Sequence, residues 1–192
     1  MAPLLRSALR FPVRPADSLR DLAASGAALR FALVFAVMIS LLAGLRAGLM
    51  TDVDLFSPER FASSLFGFVL LPAVALYGGR ALGGRAAGAV VAAVFVGSAL
   101  PFLLVDGLWS LYFAAGGAAP AGETAPFWWR VAYLVLWPFE RLTWLWAAVV
   151  LVVGLAEAQR FSRWRALASL GMVALALAVL VGGLVAFRAA TT

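Results

Sequence analysis

The sequence has no cysteine and no histidine among its 192 residues, and it has only nine acidic residues. Without histidine, a Ser-His-Asp triad, a histidine metal site and a histidine proton relay are excluded. Without cysteine, thiolate nucleophiles, disulfides, cysteine-ligated iron–sulfur clusters and zinc fingers are excluded as well. No paired acids or activated nucleophile stand out in what remains. We therefore expect no enzyme, no metal site and no cofactor.

Charged residues of any kind are scarce, whereas apolar residues dominate. Hydrophobic residues make up 65% of the chain and charged residues 12%, against about 45–50% and about 25% in soluble domains. One water-soluble core cannot bury this much apolar surface. The composition therefore indicates an integral membrane protein.

Five apolar segments are long enough to cross a bilayer, which takes about 20 helical residues. They cover residues 27–49, 61–79, 86–105, 138–157 and 166–187. Ser57, Pro58 and Glu59 form a typical helix start before the second span. Pro72 and Pro101 predict kinks in the second and third spans. We therefore predict an all-α fold, a polytopic bundle of five transmembrane helices.

The positive charge indicates the topology of the chain. It comes from 15 arginines without lysine, which lie between the apolar segments rather than on one soluble face, so nucleic-acid binding is not expected. With five spans, one side carries ten arginines against three acids, and the other carries five arginines against six acids. The positive-inside rule then places the N-terminus inside and the C-terminus outside. The bias towards arginine over lysine and towards alanine, leucine and glycine suggests a high-GC bacterial genome, so we expect a bacterial inner membrane.

Two regions follow from this topology, a cytoplasmic basic segment over residues 1–26 and a membrane domain over residues 27–188. Within the first, residues 3–12 carry an amphipathic pattern, in which an apolar stripe lies beside two arginines. The stripe and the arginines are Leu4, Leu5, Ala8 and Leu9 with Arg6 and Arg10. This pattern is typical of a short helix on the inner, anionic leaflet. The alternative is a basic tail without regular structure.

The connection between the third and fourth spans, residues 106–137, is rich in aromatic residues. It opens with Asp106 and Gly107, which predict a loop. Residues 127–137 then suggest an outer interfacial helix leading into the fourth span. Its aromatic residues favour the headgroup level as a simple belt, or they form a ledge for a partner or a lipid. The ledge residues are Trp128, Trp129, Tyr133 and Trp137.

The short inner loop between the second and third spans is rich in glycine and arginine. It lacks the lysine and hydroxyl pair of a P-loop, so nucleotide binding is not expected. The glycines permit a tight turn and close helix packing. The alternative is capture of anionic lipid headgroups by the arginines beside backbone amides. The residues concerned are Gly79, Arg80, Gly83, Gly84 and Arg85.

Five charged residues lie near the predicted ends of the spans. They are Arg46, Asp106, Glu140, Arg141 and Glu157. We expect them at the membrane rim, with long side chains snorkelling to the headgroups. Glu157 lies one turn before Arg160, which offers it a partner.

Several motifs in this order resemble the Yip family of small five-span membrane proteins, in its bacterial branch. They are Gly78-Gly79-Arg80, Gly83-Gly84-Arg85, Ala99-Leu100-Pro101, Trp144-Leu145-Trp146, the run from Val153 to Ser162, and Arg165-Ala166-Leu167. The similarity covers residues 58–171, with a weaker match over residues 15–22. Eukaryotic members of this family act in vesicle trafficking and bind prenylated small GTPases through an acidic cytosolic segment. The corresponding segment here is short and basic, so that activity does not carry over.

The main functional hypothesis is a non-catalytic scaffold or accessory subunit of a larger membrane assembly. Its partners would be membrane lipids and other integral membrane proteins. The alternative is a small transporter or channel, for lipids or for other solutes, that uses the kinked second and third spans and needs a buried polar cavity. An intramembrane enzyme would require the serines of the spans to cluster with an acid at depth. Those serines are Ser40, Ser63, Ser64 and Ser98.

Overall fold

The computed structural model describes residues 2–51, 55–115 and 127–191. These residues form helices joined by short turns and contain no strand. The helices are α1 (Ala2–Arg10), α2 (Pro15–Ala24), α3 (Ala28–Thr51), α4 (Pro58–Ala81), α5 (Gly88–Ala99), α6 (Pro101–Ala114), α7 (Phe127–Gln159) and α8 (Arg163–Thr191). The prediction of an all-helical bundle is confirmed.

Three of these helices are long and apolar enough to cross a membrane, namely α3 over Ala28–Met50, α4 and α7. The pair α5 and α6 makes a fourth span if the two helices cross together. Such helices are those of a membrane-embedded bundle, since soluble helices of this length carry a polar face. The backbone of α8 is helical over the predicted fifth span, but the count of apolar spans among the described residues stops at four.

The third span differs from the prediction. The chain bends by 41° between α5 and α6, directly before Pro101, as the predicted kink requires. The loop predicted to open at Asp106 and Gly107 is wrong, because α6 runs through both residues to Ala114. Within α6, the side chain of Asp106 has an ion-pair partner on α3. Residues 116–126 of the predicted connection lie outside the described residues.

The fourth span also differs from its predicted bounds. Residues 127–137 are helical as expected, but they continue into the span as a single helix of 33 residues. Pro138 lies inside this helix, which continues on both sides of it. The aromatic segment is therefore the first third of α7 and not a separate interfacial helix.

The start of α4 matches the predicted signal. Ser57 caps the helix by accepting a hydrogen bond from the Arg60 amide at 3.3 Å, and Pro58 occupies the first turn. Pro72 is buried inside α4, which stays one continuous helix. Beside this helix, α5 occupies the centre of the bundle, and most of its residues from Val91 to Ser98 are buried.

The N-terminal segment packs on the bundle as two helices. α1 was expected over residues 3–12, whereas α2 was not predicted. Leu19 and Leu22 of α2 are buried in the main core, and the ring of Phe11 between the helices is fully buried. Phe11 stacks on Phe31 of α3 with ring centroids 5.7 Å apart, and Gly97 of α5 leaves the space that the Phe11 ring fills. This segment therefore covers one side of the central helix α5.

Candidate functional site

Three charged residues from three different helices meet in one network. Nη1 of Arg46 on α3 donates to Oδ1 of Asp106 on α6 at 2.8 Å, and Nη2 donates to Oε2 of Glu140 on α7 at 3.2 Å. Nε1 of Trp109 donates to the same Glu140 oxygen at 2.9 Å. The Arg46 guanidinium also lies 5.3 Å from the centre of the Trp109 ring. We call these four residues the Arg46 network.

The Arg46 network lies at one level of the bundle. Arg46 is about 27 Å along α3 from Ala28, and Glu140 is about 28 Å along α7 from Gln159, at 1.5 Å per residue. Since the hydrocarbon layer is about 30 Å thick, this level agrees with the expected position near the span ends. Their mutual pairing was not predicted. The Arg46 network joins α3, α6 and α7 and leaves no side chain of the three free for a substrate.

A cluster of aromatic residues lies between the Arg46 network and the start of α7. Trp109 and Tyr112 of α6 are buried against Trp129 and Tyr133 of α7. The Trp109 and Tyr133 ring centroids are 5.4 Å apart, in an edge-on contact. The four predicted ledge residues are therefore split, because Trp128 and Trp137 are exposed while Trp129 and Tyr133 pack against α6.

The outer face of this α6–α7 pair is apolar and uncovered. We define the α7 ledge by its exposed residues Phe127, Trp128, Leu134 and Val135. Trp128 has 76% of its surface exposed and Leu134 has 70%. Next to these residues along α7, the guanidinium carbon of Arg141 lies 5.1 Å from the ring centre of Trp137. The ledge is thus an apolar surface next to a cationic residue.

At the opposite end of the bundle, the predicted glycine loop packs around the side chain of Gln159. Gly79 and Gly84 contact the Gln159 amide so closely that a methyl group at either position would overlap it. Gly83 has a φ of +89° in the turn, a conformation that favours glycine. Arg80 and Arg85 are exposed beside them. These contacts show packing at both glycines, while headgroup binding at the arginines stays a prediction.

Glu157 has a different partner from the one expected. Its Oε1 accepts a hydrogen bond from Nε of Arg20 on α2 at 2.8 Å, rather than pairing with Arg160. Arg160 instead ends α7 with a positive φ of 57°. The hydrogen bond and charge of Glu157 raise the pKa of Arg20. The ion pair ties α2 to the end of α7.

The serines of the spans form no catalytic cluster within the described ranges. Ser40 donates to Ser64 at 3.2 Å between α3 and α4. Ser98 and Ser63 donate to backbone carbonyls of their own helices. No carboxylate joins these serines among the described residues, and no three metal-ligating side chains converge there.

An open apolar groove of about 880 Å³ lies between α1, α3, α6 and α7. We call it the α1 groove. Leu5 and Leu9 of α1 form one wall, and Nε1 of Trp146 on α7 donates to the Pro12 carbonyl at 3.0 Å at one end of the groove. The lining includes Met38, Leu104, Phe139 and Leu142. A second apolar groove of about 540 Å³ lies between α3 and α6.

Sequence reasoning missed Gln159 and Trp109, and it singled out Arg46, Asp106 and Glu140 without predicting that they pair. Gln159 is a polar residue at the end of an apolar run, which is a usable signal of a buried polar contact. Trp109 had no such signal, since its role depends on Glu140, 31 residues later. This chain matches no family model, no curated protein and no solved structure.

Proposed function

We propose that this chain is a five-span bacterial inner-membrane protein that acts without catalysis, as a scaffold or accessory subunit of a larger membrane assembly. Its cytoplasmic end would carry α1, α2 and the glycine loop, following the arginine distribution. α8 would be the fifth span. On the motifs quoted in the sequence analysis, the chain would also be a bacterial member of the Yip family. The observation that carries the proposal is the α7 ledge.

The α7 ledge lies beyond the level at which α4 begins, beside the part of α6 that carries Trp109 and Tyr112. α7 has 33 residues and is about 50 Å long, whereas the hydrocarbon layer is about 30 Å thick. α4 begins beside Gly44, whose carbonyl accepts a hydrogen bond from Ser57 at 2.9 Å. Gly44 is half a turn before Arg46, which holds Glu140, so the part of α7 before Glu140 extends past α4. Large apolar side chains at such a place favour a protein partner.

The charges and grooves support a scaffold better than a transporter. The charged residues that face the bundle interior are paired in the Arg46 network. The two grooves are apolar, and their hydroxyl groups at Thr143 and Ser110 donate to carbonyls of their own helices. A polar path for an ion or solute needs free polar groups, and the described residues provide none along these grooves.

Paired double variants test the partner surface. Trp128→Ala with Leu134→Ala removes the α7 ledge, and Phe66→Ala with Val69→Ala removes a similar exposed apolar surface on α4. In mild-detergent purification from native membranes, we expect the wild type and the α4 variant to retain one integral membrane protein in stoichiometric amount. The ledge variant should lose it. A bare monomer in all three preparations, or equal loss in both variants, would overturn the proposal.

A further inference from the structure

The exposed arginines of the N-terminal segment lie directly beside the α1 groove. Arg6 follows Leu5 and Arg10 follows Leu9 in α1, so each arginine is about 100° around the helix from a groove-lining leucine. Arg14 continues the row in the turn before α2. All three are exposed, and no carboxylate of the described residues forms an ion pair with them. Residues 6–14 therefore present three cations with no carboxylate among them.

The position of α1 makes these unpaired cations chemically informative. The turn that follows α1 contacts spans α3 and α7, because Phe11 stacks on Phe31 and the Pro12 carbonyl accepts a hydrogen bond from Trp146. An arginine on such a surface needs an anion, since an unpaired guanidinium near hydrocarbon is unfavourable. A soluble anion would leave the apolar groove empty, and a free hydrocarbon would leave the arginines unpaired. The ligand that satisfies both has a phosphate joined to acyl chains.

We propose that the α1 groove binds an anionic phospholipid, with its phosphate at Arg6, Arg10 and Arg14 and one acyl chain in the groove against α7. The groove volume of about 880 Å³ lies in the range of about 300–1,000 Å³ that ligand sites occupy. Arginine suits this role because its planar donors match phosphate oxygens in pairs. The site specifies the lipid contacts of the proposed function and rests on its membrane topology, not on the protein partner.

Native mass spectrometry of the full chain, taken as the detergent-purified monomer, tests this site. The probes are phosphatidylglycerol and phosphatidylcholine at equal concentrations. We expect the wild type to bind phosphatidylglycerol more tightly. The triple variant Arg6→Gln, Arg10→Gln, Arg14→Gln should bind phosphatidylglycerol at least about tenfold more weakly than the wild type does. Glycerol phosphate, which carries the anion without the chains, should not compete.

Two further variants distinguish the α1 groove from the glycine loop and from bulk lipid contact. Leu142→Trp narrows the groove without changing charge, and it should also weaken phosphatidylglycerol binding. The matched triple variant Arg80→Gln, Arg85→Gln, Arg165→Gln removes three exposed arginines elsewhere and should bind as the wild type does. Loss of binding in this control but not in the N-terminal variant would overturn the proposal in favour of the glycine loop. Equal binding by all variants would mean bulk lipid contact and would overturn it too.

The outcome is independent of the protein partner. The lipid measurement uses the isolated monomer, whereas the partner experiment uses native membranes and variants of α7 far from α1. Loss of the partner with intact lipid specificity rejects only the scaffold function. Loss of lipid specificity with an intact partner rejects only the α1 site.

Discussion

Nε2 of Gln159 donates a hydrogen bond to the carbonyl oxygen of Ala75 at 3.1 Å, across 84 residues of sequence. The amide of Gln159 is buried, and Gly79 and Gly84 surround it. Ser169 of α8 donates to the same carbonyl at 3.4 Å. One carbonyl of α4 therefore receives hydrogen bonds from α7 and α8. This relationship explains why the glycine loop has glycines at these positions.

Gly79→Ala should destabilise the bundle by about 1–3 kcal/mol, since the added methyl group displaces the Gln159 amide from its hydrogen bond. Gly67→Ala on the same helix is the control, because nothing lies within 4 Å of the added methyl group there. The control should be neutral or stabilising by up to about 1 kcal/mol. Unfolding in mixed detergent micelles, followed by tryptophan fluorescence, measures both. Equal stability of the two variants would contradict the close packing of Gly79 on Gln159.

The Arg46 network should be sensitive to loss of its cation. Arg46→Gln leaves Asp106 and Glu140 without a counter-charge and should cost about 3–5 kcal/mol of folding free energy. Glu140→Gln keeps an acceptor for Trp109 and one ion pair for Arg46, so its effect should be smaller. The same micelle unfolding experiment compares them. A larger loss in Glu140→Gln than in Arg46→Gln would show that the network is organised differently.

Arg20→Gln provides the contrasting case of an ion pair at the surface. The Arg20 side chain is 65% exposed in its ion pair with Glu157. Because water screens an exposed pair, removing it should change global stability little. The effect should be local, as faster amide hydrogen exchange in α2. A global destabilisation as large as that of Arg46→Gln would contradict this assignment.

Phe11→Ala should release the N-terminal segment from the bundle. The Phe11 ring is fully buried between Phe31 and Gly97, and truncating such a ring costs about 3–5 kcal/mol. Since the loss falls on the docking of α1 and α2, hydrogen exchange should rise in residues 2–24 and stay unchanged in α4. Val13→Ala, at an exposed neighbouring position, is the control. Uniform exchange across the whole chain would contradict local docking.

Single-cysteine labelling should reveal the sides of the membrane, because the natural chain has no cysteine. We expect Arg85→Cys and Arg163→Cys to react only after the inner face is opened. Glu59→Cys should react with an impermeant maleimide in spheroplasts, since α4 separates it from Arg85. All three positions are exposed, so the substitutions should leave the helix packing intact. Reaction of Glu59→Cys and Arg85→Cys from the same side would reject the span at α4.

The all-helical fold and the first apolar spans could be predicted from local sequence. A long apolar run in lipid must satisfy its backbone hydrogen bonds internally, and a helix does this within one segment. Ser57 and Pro58 illustrate this, since Ser57 caps the helix through the Arg60 amide only three residues later and Pro58 lies in the first turn. Pro101 similarly marks its bend without reference to any distant residue. Such features are encoded by neighbours in the chain.

The Arg46 network and the Gln159 contact were not predictable in the same way. Asp106 with Gly107 is a turn signal in isolation, whereas in the structure both residues lie within α6 and Asp106 pairs with Arg46, 60 residues earlier. Gln159 has its partner 84 residues away. α2 carries Pro15 and Asp17 as start signals, but its two buried leucines gain their stability only from the bundle. Long-range pairs of this kind leave no periodicity in the sequence.

The length of α7 has a mechanical consequence. One helix of about 50 Å carries the α7 ledge near one end and Glu157 and Gln159 at the other. A rigid rod of this length that tilts by ~10° about its midpoint moves each tip by about 4 Å in opposite directions. A partner bound at Trp128, as proposed above, would thereby exert a torque on the contacts of Arg20 and Ala75 at the other end of the helix.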